Sequence, residues 1–126
     1  MFCAGLKFSK RHPEMVWDFI QPYLKHPDAW HVRFAVVMLL DHFITEDYVE
    51  RVLDLLDGVL HRDYYVSMAV AWAVSVCYVK FPALTLKYLR RSSLPDFSYN
   101  KALQKIIESL RVSREDKALM RSMKRR

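Results

Sequence analysis

From Asp63 to Val79 the chain carries no charge after its first residue. Val66, Ala69, Val70, Ala73, Val76 and Cys77 recur at the i, i+3, i+4, i+7 spacing of a helix face that packs on a core. The other side is apolar too, through Tyr65, Met68, Trp72 and Val79. A helix that is greasy nearly all round is an inner one, flanked by other elements on most sides. Trp72 is its oddity, a large indole among Ala69, Ala71 and Ala73.

Helical patterns surround this element. The spacing of Phe2, Leu6 and Phe8 predicts a helix end over Met1 to Ser9. Val16, Trp17, Ile20 and Leu24 form the inward stripe of a helix from Pro13 to Lys25, which Pro22 should kink near its end. Pro27 and Asp28 cap a helix from Ala29 to Phe43, with Val32, Val36, Leu39, Leu40 and Phe43 inward. A third runs from Glu46 to His61 through Val49, Val52, Leu53, Leu56 and Leu60. Gly58 inside that pattern costs about 1 kcal/mol against Ala, which suggests a close helix contact. A short helix follows from Ala83 to Arg91. After the turn Ser92 to Asp96, capped by Asp96 or Ser98, another reaches Leu110 with Tyr99, Ala102, Leu103, Ile106 and Leu110 inward. Ser113 and Asp116 resemble a capping box that opens a last helix through Leu119. No strand pattern appears, and two Gly in 126 residues disfavour a turn-rich β fold. The expectation is one all-α domain spanning residues 1–126.

The helices repeat. Val32 to Val36 aligns with Val66 to Val70 at an offset of 34, and Asn100 to Leu103 follows at 33. Each unit is an amphipathic outer helix, a turn and a more apolar inner helix, the sequence form of an α-solenoid. The small-residue pattern of tetratricopeptide units is missing, so a HEAT-like stack with short repeats fits better. In such stacks equivalent inner positions line a concave binding surface. Here they hold Arg33, Ser67 and Asn100, with Trp30 one turn before Arg33. Trp30 fits either groove-filling packing or a binding site. Arg33, set in an apolar run, needs a carboxylate, carbonyl or phosphate partner.

Charge is lopsided. The net is −1 as far as Leu89 and +7 from Arg90 onward. Lys101 and Arg111 belong to that basic half, which suits a polyanionic partner, nucleic acid first, or a solvated helical end. Apolar runs are broken well short of a membrane span, and the first residues lack a signal-peptide pattern. Two cysteines make neither a disulfide framework nor a metal site, and His12, His26, His31, His42 and His61 show no ligand spacing. A soluble cytoplasmic protein without metal or other cofactor is expected.

The segments Trp30 to Leu40, Arg62 to Val74 and Asn100 to Val112 resemble the DNA alkylation repair family of HEAT-like glycosylases, in matching order over nearly the whole chain. The resemblance implies a DNA glycosylase that hydrolyses the bond between deoxyribose and an N3- or N7-alkylated purine in double-stranded DNA. It assigns Arg33 as the active-site arginine, Trp72 as an active-site tryptophan and Trp30 as the aromatic before that arginine. Trp30, Arg33, Ser67, Asn100, Lys101 and Arg111 then become the DNA-contacting set.

The match also has a gap. The family places a catalytic Asp and another Trp upstream of the segment that begins at Phe2, within a longer N-terminal region. Trp17 and Asp18 imitate that pair but lie too close to Arg33, on an outer helix, so Asp18 reads as a solvent residue. The expectation is the C-terminal part of such a fold, inactive alone without the catalytic Asp. The alternative is a non-catalytic HEAT-like scaffold that binds nucleic acid or protein through the same face.

Overall fold

The computed structural model describes residues 13–59, 61 and 63–125. The helix expected over Met1 to Ser9, and Leu60, lie outside them. Within them every regular element is helical. Helix α1 (Pro13–Ile20) passes into a 3-10 turn (Gln21–Lys25). Then come α2 (Ala29–His42), α3 (Val49–Asp57), α4 (Tyr64–Lys80), α5 (Pro82–Arg90), α6 (Asp96–Glu108) and α7 (Arg114–Met123). None of these helices is long and apolar enough to cross a membrane.

The apolar α4 sits between α2 and α6, and these make its largest contacts. Its stripe Val66, Ala69, Val70, Ala73 and Cys77 is buried, and Val74 and Tyr78 extend that burial. The small residues Ala69, Ala71 and Ala73 leave room for the neighbouring helices to approach. Val32, Val36 and Leu39 of α2 and Ala102, Leu103 and Ile106 of α6 complete this layer. At about 1.5–3 kcal/mol per buried aliphatic side chain, this layer is the main source of cohesion. Helices α3 and α5 pack on each other and on α4, while α7 packs on α6. Not all of α4 is covered: of its second stripe Tyr65 and Trp72 stand on an open face and Met68 and Val79 are half-buried, where a helix flanked on most sides was expected.

Several local expectations need correction. The first helix changes to 3-10 at Gln21, where Pro22 has no N–H to donate to the Asp18 carbonyl, and Gln21 Nε2 donates to the Trp17 carbonyl (3.1 Å). Leu24 is only half-buried there. The third helix begins at Val49, not Glu46, since Thr45 to Tyr48 form a turn whose Thr45 carbonyl receives the Tyr48 and Val49 N–H groups. It ends at Asp57. Gly58 is its C-cap, and a Cβ there would meet only the Leu55 and Asp54 carbonyls of its own turn, so no close helix contact calls for it. Neither Asp96 nor Ser98 caps α6: Pro95 holds that position, the Asp96 carboxylate pairs with Arg125, and Ser98 is buried within the helix. That helix stops at Glu108, where Ser109 turns extended, and Leu110 swings off its inward face to 99% exposure. The Ser113 cap forms as expected, with its Oγ accepting the Asp116 N–H, but α7 runs on past Leu119 to Met123.

Candidate nucleic-acid interface

The N-terminal ends of α2 and α4 are built alike. Asp28 caps α2 by accepting the Trp30 N–H (3.0 Å), and its own N–H donates to His26 Nδ1 (2.9 Å). Asp63 caps α4 by accepting the Tyr65 and Val66 N–H groups (2.9 and 3.3 Å), and its N–H donates to His61 Nδ1 (3.2 Å). Since a carbonyl can only accept, His61 Nε2 donates to the Pro27 carbonyl (2.9 Å), which ties the second cap to the first. The bond from the Trp30 N–H, followed by that to His31, holds the Asp28 carboxyl below its ordinary range.

An aromatic ring stands at the second residue of α2, α4 and α6 alike: Trp30, Tyr65 and Phe97. The rings touch in series. Trp30 stacks on Tyr65 (centroids 5.8 Å, planes 20° apart), Tyr65 meets Tyr64 edge-on (5.4 Å), and Tyr64 meets Phe97 (6.1 Å). All four are largely open to solvent: Trp30 65%, Tyr65 55%, Tyr64 57% and Phe97 45%. On the other side of Trp30, a shallow pocket of about 310 Å³ is lined by Trp30, Tyr23, His31 and Phe34.

Cations flank the series. Arg33, one turn beyond Trp30, donates from a guanidinium nitrogen to the Tyr65 carbonyl (3.1 Å). Trp30 and Arg33 therefore converge on one residue, and a carbonyl is the partner that the apolar setting of Arg33 demanded. At the far end the Lys101 ammonium lies 5.7 Å from the Phe97 ring centre. Trp72 stands on the same face of α4 as Tyr65, two turns or about 10 Å further along the axis, and is 46% exposed.

The remaining candidates lie elsewhere or are already engaged. Ser67 is nearly buried and lines a groove of about 540 Å³ with Pro95, Asp96 and Phe97. Asn100 uses both ends of its amide on the C-terminal tail: its Nδ2 donates to the Arg125 carbonyl (2.7 Å) and its Oδ1 accepts the Arg125 N–H (2.8 Å). Arg111 borders a separate pocket at the C-terminal ends of α4 and α6, with Lys80, Lys105 and Ser109, away from Trp30 and Tyr65.

Part of the basic half is spent within the chain. The Arg125 guanidinium donates to the Leu94 and Ser92 carbonyls (2.6 and 2.8 Å), pairs with Asp96 (3.1 Å) and lies 3.9 Å over the Tyr99 ring. Arg91 pairs with Asp54 (3.1 Å). Among the described residues, no group of three or more His, Cys, Asp or Glu is placed to hold a metal ion.

Sequence reasoning missed Tyr64, Tyr65 and Phe97 as surface residues, counting Tyr65 as part of an inner helix. The signal was present as a repeated string: His, any residue, Asp, any residue, aromatic, at His26–Trp30 and again at His61–Tyr65. Compared with known protein families, curated proteins and solved structures, the chain matches none.

Proposed function

We propose that α2, α4 and α6 are the inner helices of a HEAT-like α-solenoid, and that the edge carrying Trp30, Arg33 and Trp72 binds double-stranded DNA at alkylated purines, as in the DNA alkylation repair glycosylases that the sequence resembles. The observation that carries this reading is the convergence of Trp30 and Arg33 on Tyr65, which fixes an indole and a guanidinium side by side on an open face. Among the described residues Arg33 uses one guanidinium nitrogen on the Tyr65 carbonyl, which leaves further donors for a backbone phosphate, a contact that positions a duplex without reading its sequence. An N3- or N7-alkylated purine is cationic, and an exposed indole face attracts such a ring at about 0.5–2 kcal/mol. Trp72, two turns along, is the face we assign to the lesion.

Hydrolysis needs more than binding. A carboxylate must stabilise the positive charge that develops on the sugar, which is worth several kcal/mol in a preorganised site. The acids beside this edge are otherwise committed: Asp28 and Asp63 to helix caps and Asp96 to Arg125. This chain's contribution is therefore recognition, and residues 1–126 alone should bind damaged DNA without releasing the base.

The test is a binding titration on duplexes with and without 7-methylguanine, run from low to physiological salt, beside a base-release assay. Affinity should fall steeply with salt, and Arg33→Gln should weaken binding and flatten the slope by about one counterion. Trp72→Ala should erase the preference for the alkylated duplex. Salt-independent binding, or none at low salt, would refute the nucleic-acid reading and favour a protein-binding scaffold. Base release by residues 1–126 would show that the chain carries its own catalytic group.

A further inference from the structure

The nine exposed large hydrophobic residues among those described include seven aromatics. Six of the seven lie close together: Trp30, Phe34, Tyr64, Tyr65 and Phe97 in the first two turns of α2, α4 and α6, and Phe19 near the end of α1. Tyr23 bridges Phe19 and Phe34, with ring centres 5.5 Å from each. We infer that the segment of this belt from Trp30 through Tyr65 and Tyr64 to Phe97 is a stacking platform for unpaired nucleotides, a single strand laid across the helix ends between Arg33 and Lys101. The inference rests on the nucleic-acid reading above and adds a second ligand form to it.

The geometry selects that occupant. Successive rings are 5.4–6.1 Å apart, whereas bases in a stacked strand rise about 3.4 Å. A duplex cannot match that spacing, but a strand with splayed bases can place one base on each ring face. Trp30 and Tyr65 cover one face of each other, and the planes then turn by 85° and 50° along the series, so bases would meet the rings' open faces one at a time and a continuous stack is excluded. Cations stand at both ends, Arg33 near Tyr65 and Lys101 over Phe97, where the strand's phosphates would pass. No aliphatic side chain belongs to the series, which argues against a protein helix docked through Leu or Ile knobs. Base–aromatic stacking is tolerant of sequence because every base has a π-face, so binding should depend on strandedness and not on sequence.

The test compares ten-nucleotide oligo(dT) and oligo(U) with a blunt DNA duplex by fluorescence anisotropy, using the full chain and the variants Tyr64→Ser and Phe97→Ser. Both rings are exposed, so the variants should keep the wild-type circular dichroism spectrum, and Leu110→Ser serves as a control outside the belt. Each ring lost should weaken single-strand binding about 5- to 100-fold while duplex affinity changes less than twofold. Tyr64→Phe, which keeps the ring, should retain binding. Two cations predict a shallow salt slope of about −1 to −2 for the single strand. Equal affinity for DNA and RNA strands would place recognition on base faces, and a marked preference for one would overturn recognition by faces alone. Duplex binding with no single-strand binding overturns the platform and leaves the proposed function standing. Failure to bind either refutes both. Loss of single-strand and duplex binding by equal factors in Tyr64→Ser would also overturn the platform.

Discussion

Asn100→Ala separates two roles that the sequence could not tell apart. As a residue of the DNA-contacting set, Asn100 would lose affinity on truncation and change nothing else. In the structure its amide forms a two-way bridge to the Arg125 backbone, with hydrogen bonds of 2.7 and 2.8 Å. At about 1 kcal/mol each, the pair holds the tail by about 2 kcal/mol. That is a factor of about 30 in the local opening equilibrium. The Arg125 guanidinium keeps its contacts with Leu94, Ser92 and Tyr99, so the tail should loosen without leaving. Amide hydrogen exchange reads this directly, because the Arg125 N–H is protected by Asn100 alone among the described side chains. The expected result is about 30-fold faster exchange at Arg125, little change in the α4 amides, and duplex affinity within twofold of wild type. Unchanged exchange at Arg125 together with a severalfold loss of DNA affinity would refute the clasp and restore Asn100 as a DNA contact.

Asp57 accepts three hydrogen bonds on one oxygen, from the Tyr88 hydroxyl (2.8 Å), the Ser92 hydroxyl (3.1 Å) and the Ser93 N–H (2.8 Å). Asp57→Ala should therefore cost about 3 kcal/mol in denaturant midpoint analysis, and the Asp57→Ala, Tyr88→Phe double variant should cost less than the sum of the singles. The Tyr48 hydroxyl donates to Glu14 (2.6 Å), which pulls the Glu14 carboxyl below its ordinary 4.5 and raises the Tyr48 phenol above 10.0. A depressed acid stabilises above its unfolded pKa and a raised phenol below its own. Thermal stability should thus drop as pH falls below about 4.5 and again as it rises past 10, and Glu14→Gln should blunt both edges. Burial pushes the Cys77 thiol up to about 12, so in a Cys3→Ser variant a disulfide reagent at pH 8 should modify it only at the rate of unfolding; fast modification of that folded variant would contradict the burial of Cys77.

Much of the helical layout was legible because burial follows periodicity. Val32, Val36 and Leu39 on α2, like Val66, Val70 and Cys77 on α4, were assigned inward from spacing alone and are buried. What misled was composition without context. Tyr65 and Trp72 are as apolar as core residues, so periodicity could not distinguish a covered stripe from an open one. Leu110 kept the period of its helix, yet the helix stops at Glu108, an ending set by backbone bonding that no hydropathy pattern encodes. Asn100 was placed by its repeat position, and its tie to Arg125 joins residues 25 apart through a turn and a helix. The basic half was read as free charge, but the partners of Arg125, carbonyls at Ser92 and Leu94, have no sequence signature at all.

The bond from His61 to the Pro27 carbonyl has a counterpart at the other end of the chain. Pro27 immediately precedes the cap of α2, and Leu94 immediately precedes the cap of α6. His61, just ahead of α4, reaches the first carbonyl, and Arg125, beyond α7, reaches the second. Each of these carbonyls just ahead of a helix cap is thus held by a side chain from a distant part of the sequence, 34 residues away in one case and 31 in the other. Replacing Arg125 would release Leu94, Ser92 and Asp96 together, because one guanidinium holds all three at the start of α6. At the other joint the His61 bond to Pro27 works beside the Arg33 bond to the Tyr65 carbonyl, so α2 and α4 are tied by side chains reaching in both directions.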